Sequence, residues 1–350
     1  MRSAKITHFT RWIALAVILG FVLSVGIAVK EATAQKKVWR PKQSEWVRPK
    51  ANKKYTIGVL IPSLQSQYWV NVAYGFFDEA KILGVKLKFV ATASYSEYAK
   101  QVSYMEDMIV SGVDAIILSA ASSEALVEPA HLAMEKGIKV ILMIQNVRSE
   151  NVSARVFTPH YEFGRVTAEA LAKLMKGKGK IIALNGPPGL EWAISRRKAL
   201  GDVLKKNPCI KLMGERWMGV ARDEGLKHTE DFLQAFPEIT GVWAAVDIAL
   251  MGAVDAVQAA GIKRKIYMSS ASGTQGALDM LKKGEIDFDS GEAPVLSGRW
   301  SVDVAVRLLN GEKVPFTIFT PFPVFTRANM DQWPELTKTE WAPKGWKIPR

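Results

Sequence analysis

The chain is poor in the residues that build covalent staples and metal sites. Of its 350 residues one is a cysteine, Cys209, which excludes an internal disulfide and any cysteine-rich metal centre. Histidine is nearly as scarce. Beyond residue 35 there are only His131, His160 and His228, far apart and without His-Glu-x-x-His spacing, so a zinc hydrolase has no ligand set.

Glycine is missing where a nucleotide would need it. After the first strand the chain reads Ile61-Pro62-Ser63-Leu64-Gln65-Ser66 in place of Gly-x-Gly-x-x-Gly, which excludes a dinucleotide site at that turn. Gly186-Pro187-Pro188-Gly189 is glycine-rich, but no Lys-Ser/Thr pair follows it, and its prolines lack the amides of a phosphate cradle. A Gly-x-Ser-x-Gly nucleophile signature is absent, and Ser270-Ala271-Ser272-Gly273 resembles one only loosely. The expectation is a protein that is not an enzyme and carries no cofactor.

Positive charge is abundant yet unevenly placed. The chain carries a net +13, of which residues 1–35 hold +3, residues 36–54 hold +7 and residues 335–350 hold +2. The body from Tyr55 to Pro334 is left with a net +1, which argues against a nucleic-acid groove.

Residues 1–34 read as a secretory leader. Arg2, Lys5 and Arg11 precede an uncharged run from Trp12 to Val29, and Ala32-Thr33-Ala34 supplies a small-residue cleavage site. Cleavage near Ala34 places the protein in the periplasm; the run is also long enough for a retained anchor. Residues 35–54 are basic, with Trp39 and Trp46 each shortly followed by a basic residue and a proline. They read as an extended arm laid over the body or as a loose linker.

From Tyr55 onward strand and helix patterns alternate. The strand 55–61, apolar and β-branched, opens through a polar loop into a helix that begins with Tyr68-Trp69 and places Val72, Phe76, Ala80 and Leu83 at helical spacing before Gly84. Strands at 85–90, 115–118 and 140–143 follow with their helices, and then a polar loop at 145–151. A second series runs from a helix at 162–175 to a helix at 275–283. A strand near 286–289, a helix at 295–309 and a β-like run at 316–325 close the body; a tail with Trp333, Trp341 and Trp346 follows. The alternation predicts an α/β fold of two doubly wound, Rossmann-like lobes. Loops at the C-terminal ends of parallel strands are where such sheets bind ligands, so Tyr68 and Trp69 read as a ligand wall or as a cap on the core.

The leader, the opening IGVLIPSLQSQYW, the strand GVDAIILSA ending in a serine-rich loop, the GPPG loop and the two α/β domains together resemble the type I periplasmic binding proteins, the sugar-binding branch most of all. The resemblance spans roughly Tyr55 to Phe325. It implies lobes joined by a three-crossover hinge, with a ligand closing the cleft between them. The lobes are then 55–148 with about 291–312, and 149–290 with about 313–326; residues 327–350 form an extended tail. Where sugar-binding members carry hydroxyl-gripping groups, this chain has Gln145-Asn146 for the usual Asp, Val246 for the amide before Asp247, about Ala271 for an Asp and about Glu292 for a Gln. Each hydroxyl left unpaired costs about 1–3 kcal/mol, so a typical pentose or hexose is expected to fit poorly.

The trimethylamine-N-oxide sensors of the TorT type are similar at Tyr68-Trp69-x-x-Val72-x-Tyr74-Gly75, at Gly186-Pro187, at Glu215-Arg216-Trp217 with Asp223-Glu224, and at Gly298-Arg299-x-Ser301-Val302. That resemblance implies detection of a small polar or cationic molecule for a membrane histidine kinase; delivery to an ABC permease is the alternative. Tyr68, Trp69, Tyr74 and Trp217 are the candidate faces for a methylated headgroup, with Glu292 or Asp247 as the charge. Asp247 also reads as the N-cap of the helix after it. Where the sensors begin the helix of the second lobe with tryptophans, this chain has Pro159-His160-Tyr161-Glu162-Phe163-Gly164, which adds Tyr161 to the candidates along with Gln145 and Asn146.

Overall fold

The computed structural model describes residues 38–329, 342, 343 and 345–349. The leader and the tail tryptophans Trp333 and Trp341 lie outside these residues. The chain enters as a short strand, β1 (Val38–Trp39), and reaches β2 (Thr56–Ile61), whose last five residues are buried. Ile57, Val59 and Ile61 face one apolar cluster and Leu60 the cluster on the other side of the sheet, as a strand covered on both faces must. Helix α1 (Gln67–Leu83) is capped by Ser66, whose hydroxyl accepts from the Trp69 amide, and ends at Gly84 in the left-handed region. Val72, Phe76 and Ala80 form its buried stripe, the spacing legible in the sequence.

The first series continues with β3 (Lys86–Ala91), α2 (Tyr98–Val110), β4 (Ala115–Leu118), α3 (Val127–Glu135), β5 (Lys139–Met143) and β6 (Ala154–Phe157). The second comprises α4 (His160–Leu174), β7 (Gly179–Asn185), α5 (Glu191–Lys206), β8 (Ile210–Trp217), α6 (Arg222–Ala235), β9 (Gly241–Ala244), α7 (Asp247–Ala259), β10 (Tyr267–Ser272), α8 (Gln275–Lys283) and β11 (Phe288–Gly291). The closing elements are α9 (Pro294–Leu309), β12 (Thr317–Phe319) and β13 (Val324–Phe325).

Two sheets result, in the orders β1-β12-β6-β5-β4-β2-β3 and β13-β11-β10-β9-β7-β8. All neighbours run parallel except β11 and β13. In each lobe the first strand of the series lies between the second and third, so the order reverses there and the strand ends form a crevice. The chain passes between lobes three times: from β6 to α4, from β11 to α9 and from β12 to β13.

The lobe boundaries lie later than the sequence suggests. β6 pairs with β5, and β12 with β6, so the first lobe extends beyond residue 148 on the way out and beyond 312 on the return. Val156 and Ile318 are buried in the first core, which draws these short strands to that sheet. A strand at 154–157 was not expected, because only four residues long and interrupted by Arg155 it looks like the end of a polar loop.

The basic arm lies on the first lobe. β1 pairs with β12, the Trp46 ring stacks on Trp300 with centroids 4.1 Å apart, Trp39 stacks on Trp46, and the Trp46 indole N–H donates to Asp303 at 2.6 Å. Beneath the arm, α1 and α9 touch through glycine. A Cβ on Gly75 would sit 2.2 Å from the Val295 carbonyl oxygen, and one on Gly298 2.4 Å from that of Val72, so only glycine allows this backbone approach.

Candidate functional site

The ends of β2, β5 and β6 in the first lobe and of β10 and β11 in the second converge where the chain crosses between lobes. Two of the three non-glycine residues with positive φ among the described residues lie here: Ile144 at 56°, just after β5, and Ser272 at 146°, at the end of β10. A β-branched residue resists that region, so the surrounding structure holds Ile144 there. The turn it makes carries Gln145 and Asn146.

From the first lobe, α1 presents Tyr68 and Trp69 at its start. Their rings meet edge-on, 5.5 Å between centroids. Trp69 is 4% exposed and belongs to the core, while its indole N–H reaches out to donate to the Tyr95 hydroxyl at 3.2 Å. About a third of Tyr95 is exposed, yet its hydroxyl is turned inward, and burial pushes its pKa up to about 12. Gln145 hydrogen-bonds the same hydroxyl. The Tyr68 hydroxyl is buried and turned toward the Glu292 carboxylate, to which it donates. Burial first, and then that carboxylate, raise its pKa well above the ordinary value.

From the second lobe comes a residue not among the candidates: Arg196 on α5. Its guanidinium is buried and donates to the Glu292 carboxylate at 2.6 Å, to the Ala245 carbonyl at 2.8 Å and to His160 Nδ1 at 3.2 Å. It also lies over the Phe163 and Trp192 rings. Gly164 makes this possible: a Cβ there would be 2.6 Å from the Arg196 Cα, so α4 and α5 meet backbone to backbone. Burial, and after it the Arg196 charge, hold the His160 pKa well below 6.5. The ring is therefore neutral near pH 7, and since Nδ1 accepts from Arg196, its proton sits on Nε2.

Glu292 follows β11 at the second crossing, 8% exposed, with its amide donating to the Ser272 carbonyl. Asp247 lies behind it. Its carboxylate accepts from the Thr274 amide at 2.8 Å and from the Thr274 hydroxyl at 2.6 Å. Asp247 is the first residue of α7, and Val246 is the N-cap; the helix starts one residue earlier than the sequence suggests, and Asp247 ties the loop after β10 to it. Burial raises the Asp247 pKa to about 6. Burial likewise raises that of Asp289, with the Asp247 charge adding to it.

Tyr74 and Trp217 are not brought to this cluster, and Tyr161 reaches only the lining of the cavity beside it. Tyr74 packs edge-on against Trp346 of the tail at 5.4 Å, one and a half turns along α1 from Tyr68. The Tyr161 hydroxyl donates to Asp202 at 3.0 Å, drawn to a carboxylate that Lys198 and Lys205 also hold. Trp217 is 39% exposed at the end of the edge strand β8. The aromatic cage expected from Tyr68, Trp69, Tyr74 and Trp217 is thus reduced to its first pair. Gln145 is in place, and Asn146 lies beside it with a buried Oδ1 that has no partner.

On the hinge side a cavity of about 170 Å³ adjoins the cluster, lined among others by Gln145, Thr158, His160, Glu191, Trp192 and Ser195. Sequence reasoning named Gln145 and Tyr161 of this lining and missed the rest of it and Arg196. A signal for Arg196 exists: Ala193, Arg196, Ala199, Leu200 and Val203 share the buried face of α5, so an arginine in register with an apolar stripe marks an inward charge.

Two α/β lobes crossed three times, with polar and aromatic groups meeting at the crossings, define a ligand-binding protein of the hinged, two-lobe class. Residues 57–313 match the periplasmic binding protein domain family, and the chain belongs to that family, whose location is periplasmic. It is similar to the ribose import binding protein RbsB of Bacillus subtilis, 27% identical over 287 residues, covering 81% of this chain and 92% of that one. It is also similar to a putative rhizopine-binding protein of Rhizobium meliloti, 29% identical over 288 residues, covering 79% and 92%. Among solved structures, an ABC transporter solute-binding protein from Bradyrhizobium sp. BTAi1 with bound bis-tris matches with a TM-score of 0.79 at 29% identity, covering 87% of this chain and 92% of that one. These relatives are binding proteins, not enzymes.

Proposed function

We propose that this protein is the periplasmic solute-binding component of an ABC importer and that it closes on a sugar or sugar-like polyol. The observation that carries the reading is the set of buried polar atoms left without partners where the lobes meet: Asn146 Oδ1, Thr158 Oγ1 and His160 Nε2. Burying such atoms unpaired costs about 1–3 kcal/mol each, and a molecule rich in hydroxyls, each both donor and acceptor, meets all three. The similarity to a ribose import binding protein and to an ABC transporter solute-binding protein supports the same reading.

In this reading the usual sugar clamp, absent at Gln145-Asn146, Val246 and Ala271, is replaced by Arg196 with Glu292 and His160. Closure of the lobes converts binding free energy into a surface that the permease reads. The leader at 1–34, cut near Ala34, delivers the chain to its compartment. A sensor that reports a methylated amine oxide to a histidine kinase needs the fuller aromatic cage, and with Tyr74 against Trp346 and Trp217 exposed that reading loses its support.

Calorimetric titration and ligand-dependent melting with D-ribose, D-allose, xylitol, myo-inositol and trimethylamine N-oxide test the proposal. A polyhydroxylated compound is expected to bind and the amine oxide not to. Binding of the amine oxide alone would sink the import reading.

A further inference from the structure

The N-terminal arm leaves more apolar surface in solvent than its anchoring requires. Trp46, stacked on Trp300 and bonded to Asp303, fixes it to the first lobe. Beside that anchor Val38 is 49% exposed, Trp39 36% and Val47 72%. Arg307 donates to the Val47 carbonyl, so the backbone is held here while the valine side chain stands in water. Trp39 and Val47 border an open groove of about 460 Å³ with Trp46, Val314 and Ile318 among its lining and Lys313 at its edge. The groove shares no residue with the cluster or the cavity at the lobe crossings. Exposed apolar side chains gathered around one groove, rather than scattered singly, mark a contact surface.

The surrounding charge decides what it contacts. Lys42, Lys50, Lys53, Lys54 and Lys313 are exposed, and of these five only Lys53 has a carboxylate partner among the described residues, Asp114 at 3.9 Å. Lys36 and Lys37 immediately precede β1 in the sequence. Glu45, the acid on the groove's lining, is turned to the Lys42 amide, from which it accepts at 3.0 Å. The body beyond the arm is close to neutral, at +1, so the attraction for anions is concentrated here. The partner must therefore offer negative groups and apolar matter side by side. An acidic protein or polysaccharide answers the lysines but leaves the valines and the indole in water. A bilayer with anionic headgroups answers both, since indole rings settle at headgroup depth and lysines at the phosphates.

We propose that the arm is a membrane-contact surface: it lays Trp39 and Val47 into the headgroup layer of an anionic phospholipid bilayer while Lys42, Lys50 and Lys313 meet the phosphates. The inference goes beyond the import reading and holds whichever solute fills the cleft. Each lysine brought to an anionic surface strengthens binding about fivefold, so a few of them with two apolar side chains give a reversible hold rather than an anchor. In the periplasm that hold keeps the protein beside the membrane in which a permease sits, and turns its search into diffusion over a surface.

Co-sedimentation of the secreted chain with vesicles of phosphatidylcholine alone, and of phosphatidylcholine mixed equally with phosphatidylglycerol, tests it. The wild type is expected to bind the mixed vesicles about tenfold or more tightly than the neutral ones. Val47→Asp should weaken that binding about fivefold, and Lys50→Glu with Lys313→Glu about twentyfold or more, with the melting temperature unchanged in each. Equal binding to both kinds of vesicle, or binding to neither, overturns the proposal. Binding that the lysine double variant loses but Val47→Asp keeps within twofold overturns the bilayer and gives the arm to an acidic polymer. A concentration-dependent dimer in light scattering that Val47→Asp abolishes, without vesicle binding, gives the groove to a second copy and overturns it as well.

Discussion

Arg40 of the N-terminal arm donates to Glu162 of the second lobe at 2.7 Å while its guanidinium lies 4.4 Å from the centroid of the Phe319 ring. The arm is fixed to the first lobe by Trp46, so this one side chain spans the lobes beside the hinge. Exposed pairs of this kind contribute about 0.2–1 kcal/mol. Arg40→Ala is therefore expected to change ligand affinity by no more than about fivefold while widening the ligand-free particle in small-angle scattering. A scattering curve identical to that of the wild type would show that the contact does not restrain the lobes.

Tyr68→Phe is expected to weaken both the fold and binding. It removes a hydroxyl that donates to the buried Glu292 carboxylate, which should cost about 0.5–1.5 kcal/mol of stability. The same change deletes a polar group at the lobe junction and should weaken binding about three- to tenfold. Urea unfolding and calorimetry measure the two effects; unchanged stability would show that the hydroxyl contributes nothing to the free protein.

Arg196→Met leaves Glu292 and the Ala245 carbonyl without their donor and should cost about 3–5 kcal/mol. Pairing it with Glu292→Leu should recover much of that, since removing both partners spares the uncompensated buried charge. Ligand binding should stay lost in the double variant. Denaturant unfolding of the single and double variants closes the cycle, and recovery of neither stability nor binding would point to a packing role for Arg196.

Asp303 predicts a pH dependence. Burial, then the neighbouring Glu79, raise its pKa to about 8. The folded protein thus holds a proton there that the unfolded chain releases near pH 4, so this group's contribution to stability falls as pH rises from about 4 to about 8 and is lost above that. Asp303→Asn mimics the protonated form and keeps an acceptor for the Trp46 indole. It should flatten the pH profile of the melting temperature and leave the variant more stable than the wild type at pH 9. An unchanged slope would place the titration elsewhere.

Most of the architecture was legible because its strands are runs of β-branched residues and its helices carry one buried stripe, as at Val72, Phe76 and Ala80. The exception is β6, four residues long, and a hinge strand that short has no periodicity to read. Position after the first strand was enough to put Tyr68 and Trp69 at the lobe junction, where Trp69 belongs to the core. The site was hidden where partners come from distant segments. Arg196 is an ordinary helix-surface residue until α4, brought close by Gly164, covers it, and Tyr95 sits in a turn with no pattern of its own. Tyr74 and Trp217 look like a cage in the sequence because spacing does not say which aromatic the tail will cover.

The glycine contact between α1 and α9 sets a dimension. Tyr68 is the second residue of α1, and Glu292 lies two residues before α9. With the helices locked at Gly75 and Gly298, the spacing at which the Tyr68 hydroxyl meets the Glu292 carboxylate is held by those two glycines. A side chain at either one would spread the helices and pull that pair apart.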